Sequence, residues 1–360
     1  MNLSPSTPPD QRVAPHPWLL LAALFAVVLG VLAGCSEDGA DAAMTDYHAR
    51  LGNTLDIEIA TAAKADWPRL PPARDMRLRI EGSELDALDF LALSGCAVQV
   101  TIGKRNSSLG KNAPPSQRLL LELEYLRLAP ACIEAQRAEG EDELANTLES
   151  AWAQKREQLP ALIFNATLGG EEFRKFWRPG ALTPNYPAQT SSQVITALEA
   201  INAMTERWLA GDYRANNTAF ELELSEIARG DGGELIRALV LQQQGLEAAN
   251  TALEARRVEQ PLCAFGPGDP TARVLKTVIE KFFVGGVQPW SAAIGRRKHD
   301  LLAPVTELET SLANATPDRY RDWRASRDER IAVASDAPKR HVETLKKFLE
   351  PCGGVSRVTR

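Results

Sequence analysis

The sequence predicts an all-α protein of about ten helices, arranged as two bundle-like halves with minor strand content at most. Three observations carry that prediction. Apolar residues recur at three- and four-residue spacing through most of the chain, which lines one face of a 3.6-residue helix. Helix-start signals stand where those stripes begin. Period-two alternation, the mark of a half-buried strand, is confined to Met76–Ile80 "MRLRI" and Phe220–Leu224 "FELEL". The second run also fits a helix through Phe220, Leu224 and Ile227.

The first element, residues 1–34, reads as a secretory signal. Trp18–Leu32, "WLLLAALFAVVLGVL", is an uncharged apolar run of 15 residues. A helix that crosses a bilayer needs roughly 20 residues at about 1.5 Å rise each, so this run is short. It ends in small residues, Ala33 and Gly34, as cleaved signals do. The leader before it is long and proline-rich with Arg12 as its one strong cation, which fits a start codon downstream of Met1. Leu32-Ala33-Gly34-Cys35 resembles the lipobox of bacterial lipoproteins. That resemblance implies cleavage before Cys35, transfer of a diacylglycerol to its thiol and acylation of the new amino terminus. A thiolate is the nucleophile competent for such alkylation. One acyl chain holds a protein only marginally, at about 0.8 kcal/mol per buried methylene, whereas two or more anchor it stably. Ser36 stands where an aspartate would signal inner-membrane retention, so the resemblance implies an outer-membrane anchor facing the periplasm. The alternatives are a chance cysteine after an ordinary signal, or a retained anchor helix.

Residues 35–43 form an acidic tether, "EDGADAA" over Glu37–Ala43. Two helical regions follow, 44–177 and 193–360, separated at 178–192 by "RPGALTPNYPAQTSS", whose three prolines and small polar residues read as a linker. The net charge is −6, and removal of the leader takes one acid, Asp10, and one base, Arg12, so the balance is unchanged. Such a balance argues against nucleic acid, whose binding needs a surplus of Lys and Arg.

Cys96, Cys132, Cys263 and Cys352 remain after Cys35, an even number that suggests two disulfides in an oxidising compartment. Three pairings are possible, and four buried free thiols are the alternative. The linker leaves two cysteines on each side. If each half folds on its own, Cys96 pairs with Cys132 and Cys263 with Cys352.

Within the first half, Met44, Tyr47, Leu51 and Leu55 share one helix face, and Ser83 stands three before Asp86 as a capping box ahead of Leu85, Leu88 and Leu91. Next come two helices joined by "RNSSLGK", Arg105–Lys111, with Lys104 and Arg118 nearby. Cations, hydroxyls and glycine-freed amides are what an anion site requires, and Arg105, Asn106, Ser107, Ser108 and Lys111 are the candidate contacts with a ligand or partner. The bland reading is a turn, with Pro114 and Pro115 opening the next helix. A nucleotide-binding loop does not fit, because six residues separate Gly103 from Gly110 where four are needed, and Asn112 stands at the magnesium-binding hydroxyl position. The cluster Glu171–Pro187, "EEFRKFWRPGALTPNYP", pairs aromatics with charges, as sugar-binding surfaces do, yet Phe173, Phe176 and Trp177 share the spacing of a core face. Glu171 and Glu172 point apart on a helix and cannot act as a catalytic pair.

In the second half, stripes run through Leu235, Leu239, Leu246 and Leu253, through Val274, Val278 and Phe282, and through Leu301, Val305, Leu308 and Leu312. "RGDGG" after Ala228 reads as loop punctuation, and "GRRKHD", Gly295–Asp300, as the solvated opening of a helix. There is no H-E-x-x-H, no G-x-S-x-G and no cysteine pair at zinc-ribbon spacing, and His48, His299 and His341 are scattered. No cofactor and no metal are therefore expected.

The lipobox, "DYHARL" at Asp46–Leu51, "RNSSLGK", "PPSQRLL" at Pro114–Leu120 and "LAPACI" at Leu128–Ile133 together resemble DUF3080, an uncharacterised family of bacterial lipoproteins. The resemblance implies an envelope lipoprotein and imports no catalytic residue. The expected function is that of a lipid-anchored, non-enzymatic envelope protein held to the membrane through Cys35 and binding a partner protein or envelope component such as peptidoglycan. The alternative is a peptidoglycan-acting hydrolase whose acids converge only in the fold.

Overall fold

The stripe Met44, Tyr47, Leu51 and Leu55 folds as α1 (Ala42–Leu55), and all four side chains are buried. In the computed structural model, residues 42–60, 67–81, 93, 95–264 and 266–354 are described. The leader 1–34, Cys35 and the Ser83/Asp86 capping box lie outside them, as does the tether up to residue 41. Ala42 and Ala43, expected to end the tether, already belong to α1. Of the two compact units into which the chain divides, Met1–Gly39 is outside the described residues and Ala40–Arg360 holds everything below.

Every regular element among the described residues is helical. A short turn, α2 (Ala73–Met76), precedes α3 (Ala97–Asn106) and α4 (Ser108–Lys111). The long hairpin α5 (Pro115–Ala138) and α6 (Asp142–Ala166) follows. Pro115 opens α5 with φ already set for a helix, and Asp142 and Glu143 face the positive end of the α6 dipole. Between them the chain turns at Gly140, whose φ of 83° is strained for any residue with a Cβ. Cys96 bridges to Cys132, fastening the start of α3 to α5 over a small core of Val98, Ile102, Ala129, Ile133 and Leu148.

Beyond α7 (Glu171–Phe176) come α8 (Gln193–Leu209), α9 (Asn217–Ala228) and α10 (Gly232–Glu259). The chain ends in α11 (Pro270–Val278), a π-helical segment at Ile279–Val287, α12 (Gln288–Ser311) and α13 (Asp318–Leu349). Cys263 bridges to Cys352. Both disulfides are those expected from two cysteines on each side of the linker. No helix among the described residues is long and apolar enough to cross a membrane.

"FELEL" lies inside α9, where Phe220, Leu224 and Ile227 are buried while Leu222 is 56% exposed, so helical spacing overrides the alternation. "MRLRI" is extended after Met76 but pairs with no strand. Instead the Asn165 side-chain amide accepts from the Leu78 N–H and donates to its C=O, both at 2.9 Å, and so takes the place of a neighbouring strand. Near the π-helical turn the expected stripe is displaced: Val274 is 54% exposed, and Leu275, Ile279, Phe283 and Val287 form the buried face. Wider i→i+5 winding brings that four-residue series into line.

The segment 178–192 is without helix, as its prolines require, but the cores do not divide there. The largest joins Leu119, Phe164 and Phe176 to Leu198, Trp208 and Leu301. A second places the α1 stripe against Leu246, Leu253, Leu275, Phe283 and Phe348. Each large apolar side chain so buried contributes about 1.5–3 kcal/mol, and in both cores residues from before and after the linker cover one another.

Candidate functional site

A groove of about 740 Å³ is built where the chain turns after α7. Phe173 and Phe176, fully buried, anchor α7, and Trp177, edge to face with Phe176, follows at its end. Trp177 meets Trp323 of α13 edge to face, with ring centroids 5.5 Å apart. Trp67 and its neighbours Pro68 and Leu70 form the opposite wall. Two bonds hold that wall: the Trp323 indole N–H donates to the Pro68 carbonyl at 3.0 Å, and Arg174 donates to the Pro71 carbonyl at 2.7 Å. Beneath the rings the Arg327 guanidinium lies 4.9 Å from the centroids of both Trp177 and Trp323. It is neutralised by Glu309 through two bonds of 2.8 and 3.0 Å.

The rim is strongly basic. Among the described residues Arg69, Arg174, Lys175 and Arg178 line the groove with one carboxylate, Glu171. Arg174 approaches that carboxylate at 4.0 Å, whereas Lys175 and Arg178 are exposed and make no ion pair among the described residues. The indole N–H groups of Trp67 and Trp177 have no hydrogen-bond partner among them either. Chemically the groove offers flat apolar faces beside positive charge, which is recognition chemistry for an acidic ligand with an apolar surface.

"RNSSLGK" folds differently from an open loop: Arg105 and Asn106 end α3, and Ser108 to Lys111 form α4. Ser107 caps α4, its hydroxyl accepting from the Gly110 N–H at 3.1 Å and donating to the Lys104 carbonyl at 2.7 Å. The amide expected to be free at Gly110 is thus used within the turn. A Cβ at Gly110 would come 2.2 Å from the Lys104 carbonyl oxygen, so only glycine permits this approach. Of the five candidate residues, Arg105, Asn106 and Lys111 line a cavity of about 260 Å³ together with Gly110, Arg118 and Glu122. Ser107 and Ser108 do not.

Two further sequence features change meaning. Asp231 of "RGDGG" is not free punctuation, because it accepts from the Tyr186 hydroxyl at 2.9 Å and from Arg297 Nε at 3.0 Å. Arg297 belongs to "GRRKHD", which lies in the middle of α12 rather than at a helix start, and its side chain is buried rather than solvated. Burial, then the neighbouring Asp231 charge, holds the Tyr186 hydroxyl well above its ordinary pKa. His341 is fully buried between the Tyr47 hydroxyl at 2.7 Å and the Asn250 side-chain oxygen at 2.6 Å. Burial pushes its pKa down to about 3, so the ring is neutral and its two nitrogens are spent on the core. Among the described residues no group of three or more His, Cys, Asp or Glu could hold a metal ion.

Sequence reasoning missed Trp67, Trp323 and Arg69; Trp177, weighed as a sugar-stacking ring and read in favour of core, is buried. The available signal was tryptophan beside proline and arginine, in "WPR" at Trp67 and "WRP" at Trp177. Glu122 and Lys155 were also missed, although each is a charge set within an apolar helical stripe.

Fold and groove together define an all-α, twice disulfide-bridged protein with a basic tryptophan groove between its helices. The chain belongs to the family described as "Protein of unknown function (DUF3080)", which matches residues 44–355. No curated protein and no solved structure matches it.

Proposed function

We propose that this chain is a non-enzymatic lipoprotein of the bacterial envelope, anchored to the outer membrane through acylated Cys35 and facing the periplasm, where it binds an acidic partner protein or envelope component. The observation that carries the reading is the tryptophan groove. At about 740 Å³ it falls within the range of about 300–1,000 Å³ usual for ligand sites. Its aromatic and arginine lining is the composition that dominates binding energy at interfaces. The charge contrast adds selectivity, since a chain of net charge −6 repels acidic molecules generally while this rim attracts them. Two disulfides accord with an oxidising compartment. The alternative, hydrolysis of peptidoglycan, needs two carboxyl groups converging across a cleft, and among the described residues Glu171 is the one carboxylate lining this groove.

Two experiments test the reading separately. Cys35→Ala abolishes incorporation of labelled fatty acid and moves the protein from the membrane pellet to the soluble fraction; labelling that persists in the variant refutes the anchor. For the groove, a photocrosslinker at position 69 captures the partner in cells. Lys175→Glu combined with Arg178→Glu lowers that capture by about tenfold or more, because each reversed charge opposes an acidic partner. Both side chains are exposed and unpaired, so stability changes by no more than about 0.5 kcal/mol. Undiminished capture removes the groove from the proposal.

A further inference from the structure

The cavity between α3, α4 and α5 holds more positive charge than the described residues neutralise. On its inner side the buried Lys155 ammonium and the Arg105 guanidinium share one carboxylate, Glu122, the Arg105 contact being 2.8 Å. Lys155 is 5% exposed and Glu122 is 7% exposed, so water does little to offset the surplus. Arg118 meets only main-chain oxygens, those of Ala113 at 3.1 Å and of Lys111, which fix the α4 turn without cancelling its charge. Lys111 stands exposed on the rim with no ion pair among the described residues. Asn106 also lines the wall. On the α3 side Thr101 is 2% exposed, its hydroxyl has no partner among the described residues, and it borders a smaller pocket that shares Arg105 and Asn106 with this one.

We propose that this cavity is a binding site for a phosphomonoester or inorganic phosphate. Among the residues that line the space, Arg105, Lys111 and Arg118 against Glu122 leave two positive charges, and Lys155 behind Glu122 adds a third. A phosphate monoester carries about −1.5 to −2 at neutral pH and offers three acceptor oxygens, which offsets most of that surplus and takes up the donors left over. A monocarboxylate would offset about a third of it. The volume of about 260 Å³ sits just below that of ordinary small-molecule sites, at about 300 Å³ and above, so it admits a phosphoryl head and little more. The site shares none of its residues with the tryptophan groove and does not depend on it.

The test is a 31P NMR titration of the full-length chain in detergent with inorganic phosphate and, separately, with glucose 6-phosphate. Saturable line broadening is expected. Lys111→Gln, which removes no contact within the protein, weakens it by about tenfold while leaving the melting transition in place, and Arg105→Gln does the same with Lys155 still pairing Glu122. Saturation by inorganic phosphate supports the free ion as occupant. Saturation by the sugar phosphate alone supports the head of a larger phosphorylated ligand. No saturation by either at millimolar concentration overturns the site, and so does binding that Lys111→Gln leaves unchanged.

Discussion

Replacing Cys263 and Cys352 together by Ala is expected to lower the unfolding free energy by about 4.6 kcal/mol, the larger of the two disulfide effects in this chain. The chain-entropy argument sets the figure. The bridge closes a loop with a sequence separation of 89 residues, and the unfolded chain loses more freedom when a longer loop is closed. Cys96–Cys132 spans 36 residues, for which the same relation yields about 3.8 kcal/mol. Packing points the same way. Cys263 and Cys352 sit in the core formed by α1, α10, α11, the π-helical segment and α13, beside Leu262, Phe348 and Leu349. Opening the bridge frees the end of α13 from the turn that follows α10. Denaturant melts of the two double Cys→Ala variants check the order. If removal of Cys96–Cys132 proves the costlier, loop length is not what governs the contribution of these bridges.

That pairing was legible because it needed only counting, two cysteines on each side of a proline-rich break. Helix faces were equally legible wherever period alone decides them. Met44, Tyr47, Leu51 and Leu55 are all buried, and Phe220, Leu224 and Ile227 are buried despite the alternation of "FELEL". Which faces meet is a different matter. The α1 stripe carries no mark of its partners Leu246, Phe283 and Phe348, some two to three hundred positions away, because apolar burial is non-directional and any face of fitting shape would serve. The candidate site divides along the same line. Arg105, Asn106 and Lys111 are close in sequence and converge in space, whereas their buried counter-charge, Glu122, and its second cation, Lys155, come from two other helices. The groove was illegible for that reason, since Trp67, Trp177 and Trp323 meet only after the whole chain has folded.

Glu309→Gln is expected to destabilise the protein by about 3–5 kcal/mol and to deform the tryptophan groove in the same step. Glu309 is 1% exposed and accepts from four donors: two from Arg327 at 2.8 and 3.0 Å, the Tyr320 hydroxyl at 2.7 Å and Arg324 Nε at 3.0 Å. The amide keeps the size of the side chain but loses the charge, which leaves the Arg327 guanidinium, itself 1% exposed, with the half-exposed Asp328 carboxylate at 2.8 Å as its remaining counter-charge. Arg327 sits against both Trp177 and Trp323, so its displacement carries the groove floor with it. A double variant, Glu309→Leu with Arg327→Met, separates charge from packing. Removing both ions together takes away the stranded charge, so it should recover a large part of the loss, although the methionine stacks less well between the indoles. Equilibrium denaturation of the single variants Glu309→Leu and Arg327→Met and of the double one gives the coupling energy. A Glu309→Gln protein within about 1 kcal/mol of the wild type would mean that Asp328 and water satisfy Arg327 without the Glu309 carboxylate, and the groove floor would then rest on ring packing and that second pair.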